Sequence, residues 1–329
     1  MFGFAYPEKP GTMKEAYSEG SGGFVAARLN NAEVCQEAID AVAGMALTGG
    51  AEFERFYAYL LVDEPIVQLM PWYFLPPEDE VKVRFESLRA LAIAAKLENA
   101  RNRWLDELVD GPTPPASLTS PHGLNGAVVG LTNRLYSSVL SYKQTACFSG
   151  RLATLYARHS LSLVLDGKRG HPPNRPFTLP EYEVQAKARH SSVRAPLDAL
   201  LTLIGANEKQ YTLATDSWHA WGLGAQLYDD ALDVEEDFRH GNLTWTVGRA
   251  LGCFGGRSPE NEDEFYRVCL EGGIVAETLG LAEAHFARAA DLARSSFPRW
   301  TPVQQGCMRQ AQALREDYER LIQSGTLDR

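Results

Sequence analysis

Basic residues are the minority in this chain: 32 Lys plus Arg stand against 42 Asp plus Glu over 329 residues, a formal net charge of −10. No basic stripe of the kind that tracks a phosphate backbone is present, which argues against nucleic acid as a partner. Long apolar runs are missing as well. None approaches the ~20 residues of a bilayer span, and the N-terminal MFGFAYPEKPGTMKEAYSEGSGG lacks a charged segment followed by an apolar one. A cytoplasmic protein without a membrane span is the expectation. Cysteine is sparse and scattered (Cys35, Cys147, Cys253, Cys269, Cys307), odd in number and never in C-x-x-C spacing. This reads as small buried residues in a reducing compartment rather than a zinc site or a catalytic thiol.

Strand signals are also nearly absent, with few alternating β-branched runs and no Asn-Gly or Asp-Gly hairpin between apolar segments. Helical periodicity recurs instead. It predicts helices over about 31–47, 51–70, 79–110, 122–147, 149–165, 180–190, 194–205 and 208–238. Two or three more fill 242–325, with 280–296 and 301–323 strongly helical. Pro-rich stretches such as MPWYFLPPEDE, GPTPPASLTSPHG and DGKRGHPPNRPFTLP interrupt the pattern. No period of 20–50 residues repeats, which excludes a solenoid. The expectation is an all-α chain: an irregular segment over 1–24, then one single-domain helical bundle over 25–329.

Two helix ends concentrate acids. In WLDELVDG, Asp106 and Asp110 are four apart and share one helical face, with Glu107 three before Asp110. In GLGAQLYDDALDVEEDFRHG, Asp229, Asp233 and Asp237 follow at successive four-residue steps, flanked by Asp230, Glu235 and Glu236. Acids at this spacing repel one another, and the helix dipole opposes negative charge at a C-terminus, by ~0.3–1 kcal/mol for each exposed group. A solvated acidic face is the ordinary explanation for the first cluster taken alone. The second follows buried-looking turns (Trp221, Gly222, Leu223, Gly224, Ala225), so it reads as a helix entering a cavity. Hard divalent cations with oxygen ligands would offset such charge.

Both stretches resemble the class I isoprenoid synthase superfamily, and most closely its bacterial terpene synthases. DELVD is similar to the first aspartate-rich motif, D-D-x-x-D, with Glu107 in place of its second Asp. DDALDVEED is similar to N-D-x-x-S-x-x-x-E, with Asp229, Asp233 and Asp237 at the three ligand positions. The same run satisfies Q-x-x-D-D-x-x-D of trans-prenyl diphosphate synthases through Gln226, Asp229, Asp230 and Asp233. DELVDG and DVEEDFRHG also resemble squalene and phytoene synthases. RPFTLPEYEVQAKARHSS resembles the segment whose Arg senses the diphosphate, which would be Arg189. The Arg-Arg-Gly and Gly-Gly-Lys-x-x-Arg of chain-elongating enzymes are missing. Glu236 replaces an expected Lys, and the C-terminal Arg-Tyr pair is only loosely echoed by Arg315 and Tyr318.

The resemblance implies an all-α isoprenoid synthase bundle around a central cavity. It implies Mg²⁺ as cofactor, three ions per site with Mn²⁺ as a substitute, held by Asp106, Glu107, Asp110, Asp229, Asp230, Asp233 and Asp237. Asp106, Asp110, Arg189 and Asp229 would carry the ionisation of a prenyl diphosphate. Arg189, Arg194, Arg239, Arg315 and Tyr318 would bind its diphosphate. Phe85, Trp104, Trp218, Gly222, Ala225 and Gln226 would line the cavity, with Trp221 and Tyr228 as further aromatic candidates. His219 is a general-base candidate, although released diphosphate could serve. The expected activity is cyclisation of one prenyl diphosphate to a terpene and diphosphate by a monomer or homodimer. The alternatives are a trans-prenyl diphosphate synthase, a squalene/phytoene-type prenyltransferase or a non-catalytic synthase-like subunit.

Overall fold

The computed structural model describes residues 32–43, 51–62, 64–110, 119–167 and 178–323. The irregular segment expected over 1–24 and the loop after Asp110 lie outside the described residues. Among those described there is no β-strand.

Helices α1 (Ala32–Ala43) and α2 (Ala51–Leu61) are followed by two single turns, α3 (Pro65–Gln68) and α4 (Met70–Tyr73). A 3₁₀ turn (Pro77–Lys82) leads to α5 (Phe85–Asp110), and then come α6 (Thr119–Val139), α7 (Tyr142–Gly167) and α8 (Leu179–Arg189). After the 3₁₀ turn Ser192–Arg194 come α9 (Ala195–Ile204), α10 (Glu208–Leu232), α11 (Val234–His240) and α12 (Trp245–Cys253). The chain continues through α13 (Glu262–Glu271), α14 (Ile274–Ala293) and α15 (Trp300–Gln323). Helix α14 packs along both α10 and α15, while α5 touches α1, α2, α6, α7 and α9. One continuous apolar cluster joins the two halves. No helix among the described residues is long and apolar enough to cross a membrane.

Several boundaries differ from the periodicity reading, and local chemistry explains them. The expected break near residue 148 falls at residues 140–141 instead. There the Ser141 backbone N–H and hydroxyl both donate to Gln144 Oε1, at 3.0 and 2.9 Å, which closes a capping box at the start of α7. The other end of that carboxamide donates to the carbonyls of Thr202 and Leu203, at 3.0 and 3.2 Å, at the end of α9. Asn207 caps α10 in the same reciprocal way with Gln210.

The helix expected over 208–238 is two helices. It breaks at Asp233, whose φ of −99° and ψ of 15° leave the helical range while its N–H still reaches Asp229 O at 2.9 Å. Stacked carboxylates disfavour another regular turn there. Phe238 then lies flat on Phe265, with centroids 3.7 Å apart, and draws α11 toward α13. Gly241, at φ +75°, ends α11 in a left-handed conformation that other residues adopt only with strain.

Candidate active site

Three helix C-termini meet at one place: α5 brings Asp106, α8 brings Arg189 and α10 brings Asp229 and Asp230. Each end carries the negative pole of its helix. Arg189 Nε is 4.0 Å from Asp106 Oδ2, and its guanidinium also acts on the carboxylates of Asp229 and Asp230. Asp110 closes α5 one turn beyond Asp106, and its side chain lies outside the described residues.

The four acids of the second cluster do different jobs. Asp229 reaches solvent, but desolvation and the like charges of Asp233 and Asp230 raise its pKa to about 6. Asp237 is raised further, to about 7, by burial and by Asp230, with Asn242 Nδ2 donating to it at 3.3 Å. Asp233, half-buried, sits at the helix break between them. Asp230 is different: it is 2% exposed and both oxygens are engaged. The Tyr182 hydroxyl (2.6 Å) and the Trp245 backbone N–H (2.9 Å) donate to Oδ2, and Gln226 Nε2 (3.0 Å) donates to Oδ1. Asp230 therefore ties α8, α10 and α12 together instead of offering an open ligand, and Gln226 belongs to that knot rather than to a cavity wall.

Other expected site residues are also placed elsewhere. Glu107 turns toward α2, accepting from the Tyr59 hydroxyl at 3.0 Å with Arg55 Nε 4.0 Å away. Arg194 is buried and spends its guanidinium on Asp198 (3.1 Å) and His219 Nε2 (2.9 Å). Burial, with the Arg194 charge beside it, lowers His219 to about pKa 3 and keeps it neutral. Arg239 faces Glu262 at 3.7 Å on the surface. Arg315 bonds Glu283 and Glu319, at 3.2 and 3.1 Å. Tyr318 is buried near Glu235 and Tyr228, with its phenol pushed up to about 12 by burial.

The expected cavity wall is packed. Trp104 and Trp218 are both 0% exposed. Trp104 meets Phe56 edge-on at 6.2 Å, and Trp218 joins Trp221 (4.5 Å) and Trp300 (6.0 Å) in an aromatic cluster. Phe85 begins α5 and so stands about 30 Å from Asp106 at helical rise. A Cβ on Gly222 would come within 3.1 Å of the His190 ring, so this glycine admits His190 rather than leaving space. Ala225 is partly buried against the core.

Sequence reading missed Arg103, which acts on Asp229 and pairs with Glu64. It lies three residues before Asp106, so helical spacing could have found it. The Tyr182 and Trp245 bonds to Asp230 left no local signal.

The donor set suits a hard divalent cation: carboxylate oxygens whose burial, together with mutual repulsion, raises two pKa values. Among the described residues, no three His, Cys, Asp or Glu side chains yet surround one point. The acids approach from two sides instead.

No protein-family model and no curated protein sequence matches this chain. Solved structures do. A geranylgeranyl pyrophosphate synthase superposes with a TM-score of 0.66 at 16% identity, covering 88% of this chain and 98% of that one. A decaprenyl diphosphate synthase from Rhodobacter capsulatus gives 0.62 at 17%, over 89% and 99%. A polyprenyl synthase from Caulobacter crescentus, complexed with calcium and isoprenyl diphosphate, gives 0.58 at 18%, over 87% and 91%. The chain thus has the all-α isoprenoid synthase fold. Within that fold, the structures it resembles are trans-prenyl diphosphate synthases.

Proposed function

We propose that this chain ionises an allylic prenyl diphosphate at the mouth formed by α5, α8 and α10. The observation that carries the reading is Arg189, 4.0 Å from Asp106 on one side and acting on Asp229 on the other. One guanidinium thus bridges the two acidic motifs, where it can hydrogen-bond a diphosphate. Asp106, Asp229, Asp233 and Asp237, with Asp110, would hold Mg²⁺, which when bound supplies Lewis-acid neutralisation of the leaving group. The chain's own part is to position the diphosphate, and to keep water from the allyl cation with the packed aromatic interior behind Asp229.

For the fate of the cation, transfer to an isopentenyl-type acceptor takes first place, because the similar solved structures are prenyl diphosphate synthases. Cyclisation is the second reading. The absence of Arg-Arg-Gly after DELVD and of Gly-Gly-Lys-x-x-Arg upstream supports it, since a second diphosphate needs its own cations. Purified protein with Mg²⁺ and C10, C15 or C20 prenyl diphosphate, with and without isopentenyl diphosphate, separates them. A longer diphosphate formed only with both substrates supports transfer, and a hydrocarbon or alcohol from one substrate supports the second reading. No release of diphosphate in any tube would sink both.

A further inference from the structure

Away from the mouth, one groove gathers titratable side chains that the ionisation reading does not use. It lies between α8, α10 and α14 and has a volume of about 50 Å³. Each helix presents one stripe to it. Glu183 and Lys187 are four apart on α8, Asp216 and His219 three apart on α10, and His285 and Arg288 three apart on α14. Ala220 and Leu223, both buried, close the floor. His219 precedes Asp229 by ten residues on α10, about 15 Å at helical rise, so the groove is separate from the acidic mouth. Lys187 and Arg189, two apart on α8, point off different faces of that helix.

The partners of these groups fix what each can offer. A guanidinium only donates, so Arg194 Nη1, 2.9 Å from His219 Nε2, makes that nitrogen an acceptor and leaves the imidazole proton on Nδ1. Lys187 is 3.5 Å from Glu183, and both are partly exposed. Arg288 and Asp216 are exposed and make no ion pair among the described residues. Burial lowers the pKa of both histidines. At His219 the charges of Arg194, Lys187 and Arg158 add to it, and at His285 those of Arg288 and Lys187 do so against Glu183. Cations therefore dominate the field at the imidazoles, and an anion would relieve it.

An anion entering this field still meets the Asp216 carboxylate. Sulfate would present only acceptor oxygens to it. Hydrogen phosphate keeps one O–H, which can donate to Asp216 while the remaining oxygens accept from Arg288, Lys187 and His219 Nδ1. A phosphomonoester, whose second pKa is about 6, has lost that proton at neutral pH. The mixture of cations with one unpaired acid thus selects for the proton, and the volume suits a single phosphoryl group. We propose that the groove between α8, α10 and α14 binds inorganic phosphate as HPO₄²⁻, with Arg288 and Lys187 holding its charge and Asp216 accepting its hydrogen. The site does not rest on the ionisation reading, because no residue of the mouth takes part in it.

The test is equilibrium dialysis of the full chain against ³²P-labelled phosphate at about pH 7.5 and fixed ionic strength, without Mg²⁺ so that the acidic mouth stays unloaded. Saturable binding of one phosphate per chain is expected, and Arg288→Gln should weaken it about tenfold. Against the parent chain, sulfate and glycerol phosphate should each compete at least about tenfold less well than unlabelled phosphate. In Asp216→Asn, whose amide can donate to a bare oxygen, the preference over sulfate should shrink to within about threefold. No saturable binding at millimolar phosphate, or binding unchanged in Arg288→Gln, would overturn the site. So would sulfate or glycerol phosphate competing as well as phosphate, or a preference over sulfate unchanged in Asp216→Asn. Diphosphate release from a prenyl substrate is a separate measurement, so either reading can fail without the other.

Discussion

Two groups of carboxylates sit within this one fold, and their surroundings are opposite. In the interior, Glu98 is 0% exposed and receives both Nε and Nη2 of Arg101, at 3.0 and 2.9 Å, together with the Tyr156 hydroxyl. Asp198, equally buried, is matched by Arg194 and by the Tyr211 hydroxyl at 2.5 Å. At the mouth, burial raises Asp229 and Asp237, the like charges of Asp230 and Asp233 add to both, and Arg103 and Arg189 offset Asp229. Acids that arrive with their partners build the bundle. Acids raised by burial and by like charge are the ones we propose for holding a cation from outside.

Breaking the paired group should have the largest effect on stability. Glu98→Ala strands the Arg101 guanidinium in the core, with an expected loss of about 3–5 kcal/mol in urea unfolding. At the mouth the cost should fall on chemistry instead. Asp106→Asn or Asp229→Asn should lower diphosphate release on the order of a hundredfold or more. The melting temperature should hold or rise, because like charge has been removed. Glu107→Gln sharpens the contrast within DELVD. Since Glu107 serves Tyr59 and Arg55, its loss should cost about 0.5–1.5 kcal/mol of stability and leave turnover within about twofold.

The pH response should show both groups with opposite signs. Burial and nearby cations lower His159 to about pKa 3, so it stays neutral in the fold while the unfolded chain takes up a proton below about 6.5. Its contribution is therefore lost as pH falls from about 6.5 toward 3, by up to about 1.4 kcal/mol per unit. Asp229 and Asp237, raised to about 6 and 7, work the other way and gain stability as pH falls toward their unfolded value near 4. His159→Asn cannot titrate. Its stability difference from the parent should thus shift by about 0.7 kcal/mol per pH unit at pH 6.5, rising toward about 1.4 near pH 5, read from unfolding curves at each pH.

The all-α bundle and most of its helices were legible from periodicity, because an amphipathic helix declares its buried face within its own sequence. Asp106 and Asp229 were legible as motif residues, but their meeting through Arg189 depends on α8 folding back across the chain. The roles of Asp230 and Gln226 were not legible, since Tyr182 and Trp245 reach them from helices 48 and 15 residues away. The split at Asp233 was hidden for the same reason: Phe265 lies in another helix. Arg194 was misread although its partner Asp198 stands four residues on, an ion-pair spacing visible in R-A-P-L-D. The aromatic residues marked for a cavity could not be told from core by spacing, and the structure packs Trp218, Trp221 and Trp300 together. The expectation of cyclisation rested on the two acidic motifs, the Arg189 segment and the missing elongation motifs, whereas the solved structures of similar shape are prenyl diphosphate synthases.

The central claim is that the acids at the mouth are kept under-compensated for a cation and a diphosphate. Thermal unfolding of the full chain with Mg²⁺ and inorganic diphosphate, added separately and together, tests it most directly. At a hundred times the dissociation constant, ligand binding to the folded state contributes about 2.7 kcal/mol. The account predicts a clear rise in melting temperature with both together, little with diphosphate alone, and loss of the joint effect in Asp229→Asn. An unchanged melting temperature in the parent chain, or an equal rise in Asp229→Asn, would contradict it.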